Sequence, residues 1–263
     1  MKANRTSGNG ADRSQGGVVR IAAAGDIHAR EGMEDHLRAS FGALRGVADM
    51  VLLAGDLTTH GTPREAAILA DACRDLELPV IAVLGNHDWH LDRAEEVSAE
   101  LGDAGVIVLD RAAAVIEAVG LEVGVVGAKG FVGGFPGSHL PDFGEPALRM
   151  VYAEATAEVK GIARGLQEIS TSDVRIVLLH YAPTEQTLVG EPEGIWAFLG
   201  TDRMAAPIRE HEPDLVLHGH AHIGSLQGSI GSVPVYNVSV PLMGKDFWIL
   251  ELSGIREAAP PVH

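Results

Sequence analysis

Residues 18–28 read VVRIAAAGDIH, an apolar run that ends in a glycine, a carboxylate and an imidazole. Two later segments repeat this design: residues 49–56 read DMVLLAGD, and residues 79–88 read PVIAVLGNHD. A short apolar run that stops at Gly predicts a buried β-strand. Because ligands bind at the ends of strands in open α/β sheets, the polar residues that close these three segments are candidate site residues.

A segment with helical spacing follows each of the three strands, at residues 33–47, in the stretch that begins at Pro63, and at residues 91–101. Proline suits the first turn of a helix. Cys73 lies on the apolar face of the second of these helices, as a small core residue would. The resulting order βαβαβα predicts parallel strands covered by helices.

The rest of the chain is richer in strands. The Gly- and Pro-rich stretch 129–145 predicts an irregular loop, and residues 146–168 predict a long helix. We expect one α/β domain over residues 18–253, with two sheets packed together and helices outside, between flexible tails at 1–17 and 254–263. The further predicted strands are 106–109, 112–118, 121–128, 174–179, 215–217, 226–230, 233–238 and 247–252.

Composition narrows the classes of partner. The 263 residues carry a net charge of -16, from 20 Lys and Arg against 36 Asp and Glu, and 46% are hydrophobic. An acidic protein repels polyanions, so we expect no long nucleic acid as a partner, whereas a small phosphate substrate remains compatible. No apolar stretch is long enough for a membrane span, and one cysteine allows no internal disulfide. The expected location is the cytoplasm.

The first two strand ends offer oxygen and nitrogen donors. On an extended segment Asp26 and His28 would point the same way and could clamp one metal. A helix-capping Asp with a surface His explains the pair equally well. Asp56 could bridge two cations with its two oxygens, or could cap the helix that begins at Pro63. Its repetition of the Gly-Asp design favours the ligand role.

The third strand end reads Asn86-His87-Asp88. The Asn86 amide oxygen is a neutral ligand, while His87 would point towards whatever lies in front of the metal. Asp88 could hold the His87 ring and favour its protonated form. Taken alone, the segment is more simply explained as a polar turn.

Three histidines follow the later strands. His180 directly follows the predicted strand 174–179. A lone His at the end of a strand is more often a buried, hydrogen-bonded side chain than a metal ligand. His220 and His222 could face one site or two adjoining sites, and paired histidines after a hydrophobic strand are uncommon without a metal. Together the strand ends provide donors for two metals: Asp26, His28, Asp56, Asn86, His180, His220 and His222.

The order Asp-x-His, Gly-Asp, Gly-Asn-His-Asp, His and Gly-His-x-His, from Asp26 to His222, resembles the calcineurin-like metallophosphoesterase superfamily. The resemblance implies a four-layer α/β/β/α sandwich of two mixed sheets with a dinuclear metal site at the strand ends. Relatives commonly carry Gly after the Asp-x-His pair, where this chain has Ala29-Arg30. That departure concerns the entrance to the site, and the metal ligands are all present.

The resemblance also implies a division of the ligands. Asp26, His28, Asp56 and His222 would hold one divalent metal, and Asp56, Asn86, His180 and His220 the other, with Asp56 bridging. His87 would be the catalytic histidine beside the metals. The histidines that match no ligand position are His36, His60, His90, His139, His211, His218 and His263. Of these, we expect His218 to be buried or to lie behind the ligands.

The expected function is hydrolysis of phosphodiester bonds in small substrates, cyclic nucleotides among them, by a hydroxide formed on the metals. His87, oriented by Asp88, would protonate the leaving oxygen. Mixed N and O donors suit Mn, Fe, Zn, Co or Ni. Arg30 and Lys129 could contact phosphate, although solvated surface charges are the simpler explanation of both. The alternatives are a phosphomonoesterase or nucleotidase, a nuclease and a non-catalytic scaffold.

One apolar group has no assigned role in the sequence. Trp196, Phe198 and Leu199 follow His180 and could form a pocket wall, an interface or plain core, with core as the default. The sequence leaves the oligomeric state open.

Overall fold

A computed structural model describes residues 17–254 of the chain. The predicted tails, 1–17 and 254–263, lie outside the described residues except for Gly17 and Gly254. Within the described part the strands form two sheets. The strands are β1 Val18–Ala24, β2 Met50–Ala54, β3 Val80–Val83, β4 Ile107–Val108, β5 Ala112–Ala118, β6 Leu121–Gly127, β7 Val174–Leu178, β8 Leu215–His218, β9 Gln227–Ile230, β10 Val233–Asn237 and β11 Trp248–Ser253.

The helices cover the two sheets and connect their parallel strands. No helix in the described part of the chain has the length and apolar character needed to cross a membrane. The α-helices are α1 Glu34–Gly42, α2 Pro63–Arg74, α3 Ala94–Asp103, α4 Pro146–Glu168, α5 Trp196–Leu199, α6 Ala205–His211 and α7 Val240–Met243.

Both sheets are mixed. The first has the order β11-β1-β2-β3-β4, in which β1 to β4 are parallel and β11 is an antiparallel edge strand. The second has the order β5-β6-β7-β8-β10-β9, with parallel strands in the middle and antiparallel edges. The predicted fold class is confirmed.

Alternating side chains of the central strands divide between separate cores. Met50 and Leu52 of β2 pack between the two sheets, whereas Val51 and Leu53 pack under α1, α2 and α3. On the other sheet, Val177 of β7 packs under α4 and α6, while its neighbours on the strand face the first sheet. Sheets buried on both faces explain why these strands read as continuous apolar runs.

The two sheets bring their strand ends together. The Gly25 amide after β1 donates to the Val238 carbonyl after β10, at 2.8 Å. The Gly219 amide after β8 donates to the carbonyl of His180 after β7, at 3.1 Å. The parallel strands of both sheets therefore deliver their following loops to one edge of the molecule.

Candidate metal centre

Three groups of candidate ligands form at this edge. Each group has ligand atoms within 4.8 Å of one another. The groups contain six of the seven predicted donors together with His87, and the seventh donor, Asn86, lies with its Oδ1 2.9 Å from His180 Nε2. The groups are Asp26, His28 and His222; His28, Asp56 and His87; and Asp56, His180 and His220.

Four of the site residues have left-handed backbone conformations. The φ angles are 58° at Asp26, 49° at His28, 48° at Asp56 and 69° at His220. Such angles are uncommon outside Gly and cluster at functional sites. The extended-segment argument for Asp26 and His28 was therefore wrong in its premise: sharp turns after the strand aim both side chains at the site.

Asp26 is buried and contacts both His220 and His222. His222 Nε2 lies 2.9 Å from Asp26 Oδ1, and the His220 amide donates to Oδ2 at 2.9 Å. Burial raises the pKa of Asp26, but the His222 hydrogen bond and the nearby imidazoles outweigh it and lower the pKa to about 2. The carboxylate is therefore ionised across the physiological range, as a cation ligand must be.

Asp56 stands between two ligand groups. Its Oδ1 lies 3.3 Å from His180 Nε2, and its Oδ2 lies 3.9 Å from His28 Nε2 and 4.0 Å from His87 Nε2. The side chain is buried, with 1% exposure for the residue. Each oxygen thus faces different imidazoles, which is the arrangement a bridging carboxylate needs.

The surroundings of His180 fit a cation. Its Nδ1 donates to the Ala54 carbonyl at 3.0 Å, which leaves Nε2 as the ligand atom. That Nε2 faces Asn86 Oδ1 at 2.9 Å and Asp56 Oδ1 at 3.3 Å. Three electron-pair donors converge in a buried place, and a positive charge between them resolves their repulsion. The donor set therefore fits a divalent metal.

Two further imidazoles, those of His220 and His28, have the neutral form that a metal ligand needs. Burial lowers the pKa of His220 to about 3, so its ring is neutral. Its Nε2 lies 3.3 Å from the Phe198 carbonyl, which assigns the ring proton to Nε2 and frees Nδ1. Burial likewise lowers the pKa of His28. His222 differs, because its hydrogen bond with Asp26 raises its pKa.

His87 is oriented by a backbone carbonyl. Its Nδ1 donates to the Thr59 carbonyl at 2.7 Å. The side chain is 36% exposed, and its Nε2 lies 4.0 Å from Asp56 Oδ2. A fixed Nδ1 proton leaves Nε2 as the atom that can exchange a proton with a bound molecule.

Asp88 does not hold the His87 ring, and that expectation was wrong. The carboxylate is fully buried and accepts from the amides of Thr58 and Gly85, at 2.8 and 2.7 Å, and from the Thr58 hydroxyl at 2.6 Å. The Leu57 amide adds a further hydrogen bond at 3.1 Å. Asp88 thus fastens the loop after β2 to the loop after β3. Burial raises its pKa to about 6.

Two glycines allow the close approach of these loops. A Cβ on Gly85 would lie 2.1 Å from Asp56 Oδ1, and one on Gly55 would lie 2.6 Å from the His180 ring. Gly55 also has a φ of 80°. Packing therefore requires Gly at both positions, and the left-handed turn favours Gly at position 55 as well.

The two predicted phosphate contacts lie apart from the ligand groups. Arg30 is exposed, and its guanidinium donates to the His28 carbonyl at 3.4 Å. Lys129 is half-buried, donates to the Gly130 carbonyl at 3.2 Å and lies 4.4 Å from the centre of the Phe131 ring. Their contact with substrate stays a prediction.

His218 is fully buried behind the ligands, as expected. Its ring nitrogens lie 2.8 Å from the Gly219 carbonyl and 2.8 Å from the Thr187 hydroxyl. Burial lowers its pKa to about 4, so the ring is neutral. His263 lies outside the described residues.

The apolar group after His180, for which core was the default prediction, is only partly buried. Leu199 is buried, but Phe198 is 66% exposed and supplies its carbonyl to His220. The loop 129–145 is irregular, as predicted, and is tied down by an ion pair of 2.9 Å between His139 and Asp202.

Several site groups carry no sequence signal. The carbonyls of Ala54, Thr59 and Phe198 orient three imidazoles, and any residue type could supply them. Tyr181 was also missed: its ring lies 4.5 Å from that of His220 and 5.4 Å from that of His180. A polar aromatic residue directly after a candidate ligand was the one available signal.

Both the sequence and the fold of the chain resemble those of known proteins. A family model described as calcineurin-like phosphoesterase matches residues 19–224. No curated protein matches the sequence. The chain resembles the crystal structure of phosphopantetheinyl hydrolase from Mycobacterium tuberculosis, with 16% identity, coverage of 84% of this chain and 89% of that one, and a TM-score of 0.61.

Two further structures share the fold. A putative 5'-nucleotidase from Staphylococcus aureus, in complex with alpha-ketoglutarate, is 14% identical, covering 94% of this chain and 56% of that one, with a TM-score of 0.52. GAP50, described as the anchor in the inner membrane complex of Plasmodium, is 12% identical, covering 85% and 72%, with a TM-score of 0.52. At these identities the likeness concerns the fold.

Proposed function

The chain belongs to the calcineurin-like phosphoesterase family, a family of phosphoester hydrolases, and on that premise we propose that it is a phosphodiesterase of small substrates, cyclic nucleotides among them. The observation that carries the proposal is the position of Asp56. Its two oxygens face His180 on one side and His28 on the other. A carboxylate placed in this way supports a pair of cations, which diester hydrolysis by this chemistry needs.

The proposed cofactors are two divalent metals, such as Mn, Fe or Zn. Asp26, His28, Asp56 and His222 would hold one, and Asp56, Asn86, His180 and His220 the other. Bound metals of this kind supply Lewis acidity to a phosphoryl oxygen and lower the pKa of a bound water. Neutral His28 and His220 and ionised Asp26 are in the protonation states that such binding requires.

The chain's own proton donor in this proposal is His87. Since the Thr59 carbonyl holds the Nδ1 proton, His87 can pass a proton to the leaving oxygen through Nε2 alone. The amide of His87 is anchored on Asp56 Oδ1 at 2.8 Å, so the imidazole keeps a fixed place relative to the ligands. Asp88 acts on this geometry indirectly, because it fixes the turn that carries His87.

A single experiment on metal-loaded protein tests the proposal. Turnover of bis-p-nitrophenyl phosphate is compared with that of p-nitrophenyl phosphate, and metal content is measured on the same sample. We expect two metals per chain and higher kcat/KM for the diester. Higher kcat/KM for the monoester, or no hydrolysis of either by fully loaded protein, would overturn it.

One observation favours a phosphomonoesterase or nucleotidase as the second candidate. Arg30, two residues after His28, and Arg64, at the start of α2, line the same open pocket. Two guanidinium groups suit the dianion of a monoester, but Arg64 is paired with Glu31 at 2.9 Å. If this candidate holds, Arg64→Ala lowers kcat/KM for the monoester and leaves the diester unaffected.

Two other functions have less support. The net charge of -16 opposes a nuclease role, because a polyanionic substrate would be repelled. A scaffold role needs no proton donor, yet His87 is present and oriented. The proposed location is the cytoplasm, where a lone buried thiol such as Cys73 stays reduced.

A further inference from the structure

A pocket that neither the candidate ligands nor His87 line lies next to the loop after β3. Its volume is about 330 Å³, within the range of roughly 300–1,000 Å³ found for small-molecule sites. Apolar side chains line it, among them Leu84 and Leu109, together with Trp89 and Lys129. Such a volume accommodates a ring system together with part of the molecule attached to it.

The walls of this pocket belong to the loops that carry the site. Leu84 lies two residues before Asn86, and the Trp89 amide donates to the Asn86 carbonyl at 3.3 Å. On the other side, the carbonyl of Lys129 accepts from the His180 amide at 3.1 Å. The pocket therefore adjoins the turn that carries His87, where the leaving group of a bound ester would lie.

The aromatic wall is available for stacking. Trp89 is 43% exposed, although Trp is a residue that proteins usually bury for the most part. An indole face next to apolar side chains favours a flat, apolar-faced ligand. Base–aromatic stacking of this kind tolerates any nucleobase.

The pocket is lined by charged groups of both signs. Lys129 contributes a positive charge and Glu95 a negative one, while Asp110 is paired with Arg111 at 3.4 Å. With Ser98, these side chains offer both hydrogen-bond donors and acceptors. A neutral ring with amino donors and ring-nitrogen acceptors matches this set.

We propose that this pocket is a nucleobase subsite, in which Trp89 stacks on the base and Lys129 donates to its acceptor atoms. The inference rests on the proposed phosphodiesterase function and narrows its substrates to nucleotide esters. Arg30 does not line this pocket and takes no part in base binding.

Nucleoside binding to the metal-loaded protein tests the subsite separately from catalysis. Adenosine, guanosine, cytidine and uridine contain no phosphoester and are not hydrolysed, so their Kd values are measured by titration calorimetry. 1-O-methylribose, which lacks a base, is the ligand control. We expect at least one nucleoside to bind more tightly than the sugar.

Variants locate the binding. Trp89→Ala should weaken nucleoside binding by roughly tenfold or more, and Trp89→Phe should restore most of it. Lys129→Met should weaken it for bases with an acceptor at the contact. Phe143→Ala removes a 78% exposed aromatic ring that lies outside the pocket and should leave every Kd unchanged. Thermal unfolding shows whether each variant is folded.

The outcomes separate the two proposals. Nucleoside binding that depends on Trp89 supports the subsite even if no diester is hydrolysed, in which case the proposed function fails alone. Diester hydrolysis without nucleoside binding, or binding that is unchanged in both Trp89→Ala and Lys129→Met, overturns the subsite and leaves the function standing.

Discussion

The backbone amide of His87 donates a hydrogen bond of 2.8 Å to Oδ1 of Asp56. Asp56 therefore has two roles in the site. It accepts the hydrogen bond that anchors His87, and its carboxylate lies between the candidate ligands His28 and His180. The contact fixes the position of His87, the proposed proton donor, relative to the carboxylate proposed to bridge two metals. Changes on either side of this contact should separate metal binding from turnover.

Removal of the His87 imidazole should affect turnover and spare the metals. We expect His87→Ala to keep wild-type metal content and thermal stability, and to lose about 10²–10⁴-fold in kcat on a diester with a poor leaving group. His90→Ala is the matched control, since its ring lies 5.8 Å from that of His87 and matches no ligand position. Full activity of His87→Ala on such an ester would remove the residue from the mechanism.

Loss of the Asp88 carboxylate should destabilise the fold. In Asp88→Ala the buried amides of Leu57, Thr58 and Gly85 lose their acceptor. We expect the free energy of unfolding to fall by about 3–5 kcal/mol in urea titrations. Asp71→Ala, an exposed carboxylate in α2, should change it by less than about 0.5 kcal/mol. Equal effects of the two substitutions would contradict the fastening role.

Gly85→Ala should disturb the ligands through packing. The added Cβ would lie 2.2 Å from the Asp56 amide nitrogen, so the two loops must separate. We expect lower metal content, measured by elemental analysis, together with lower stability. Gly102→Ala in α3 is the control, because its Cβ would meet nothing within 4 Å, and it should be neutral or stabilising by up to about 1 kcal/mol. Normal metal content in Gly85→Ala would show that the contact is unimportant.

The Arg20–Asp49 pair predicts a pH-dependent contribution to stability. Side-chain hydrogen bonds from Arg20, at 2.8 and 3.1 Å, lower the pKa of Asp49. A carboxyl whose pKa is lowered on folding stabilises fully above its unfolded pKa, about 3.9, and loses that effect as the pH falls through the folded value. The stability difference between wild type and Asp49→Asn should therefore be present at pH 7 and shrink below pH ~3.9.

Unfolding free energies at several pH values check this. Asp35→Asn, which breaks the exposed pair with Arg38, serves as control and should show a small difference throughout. A difference for Asp49→Asn that stays constant to pH ~2, or grows as the pH falls, would contradict the linkage.

Most of the fold follows from the apolar runs. The predicted bounds of β1 and α4 agree with the structure, since a buried strand and a long amphipathic helix each have a clear period. The helix predicted over 33–47 is shorter, Glu34–Gly42, because residues 43–47 form turns in which Gly46 has a φ of 72°. The sequence does not predict the short helices α5, α6 and α7, because four- to seven-residue helices have too little period to detect.

The sequence indicates which polar residues come together, but not the geometry that brings them together. The candidate ligands lie at strand ends, which hydrophobic patterning predicts. The backbone of Asp26 and His28 is in the left-handed region, which the residue types alone do not predict. Asp88 was assigned to His87 because the two are adjacent in sequence, whereas its partners come from the loop after another strand. Contacts between distant segments of the chain have no signature in a single sequence.

Anomalous diffraction from crystals of the fully metal-loaded protein tests the central claim most directly. We predict two cation peaks at the strand ends, each in contact with a carboxylate oxygen of Asp56, one shared with His28 and the other with His180. A single peak, or two peaks of which Asp56 touches one or neither, would contradict the account.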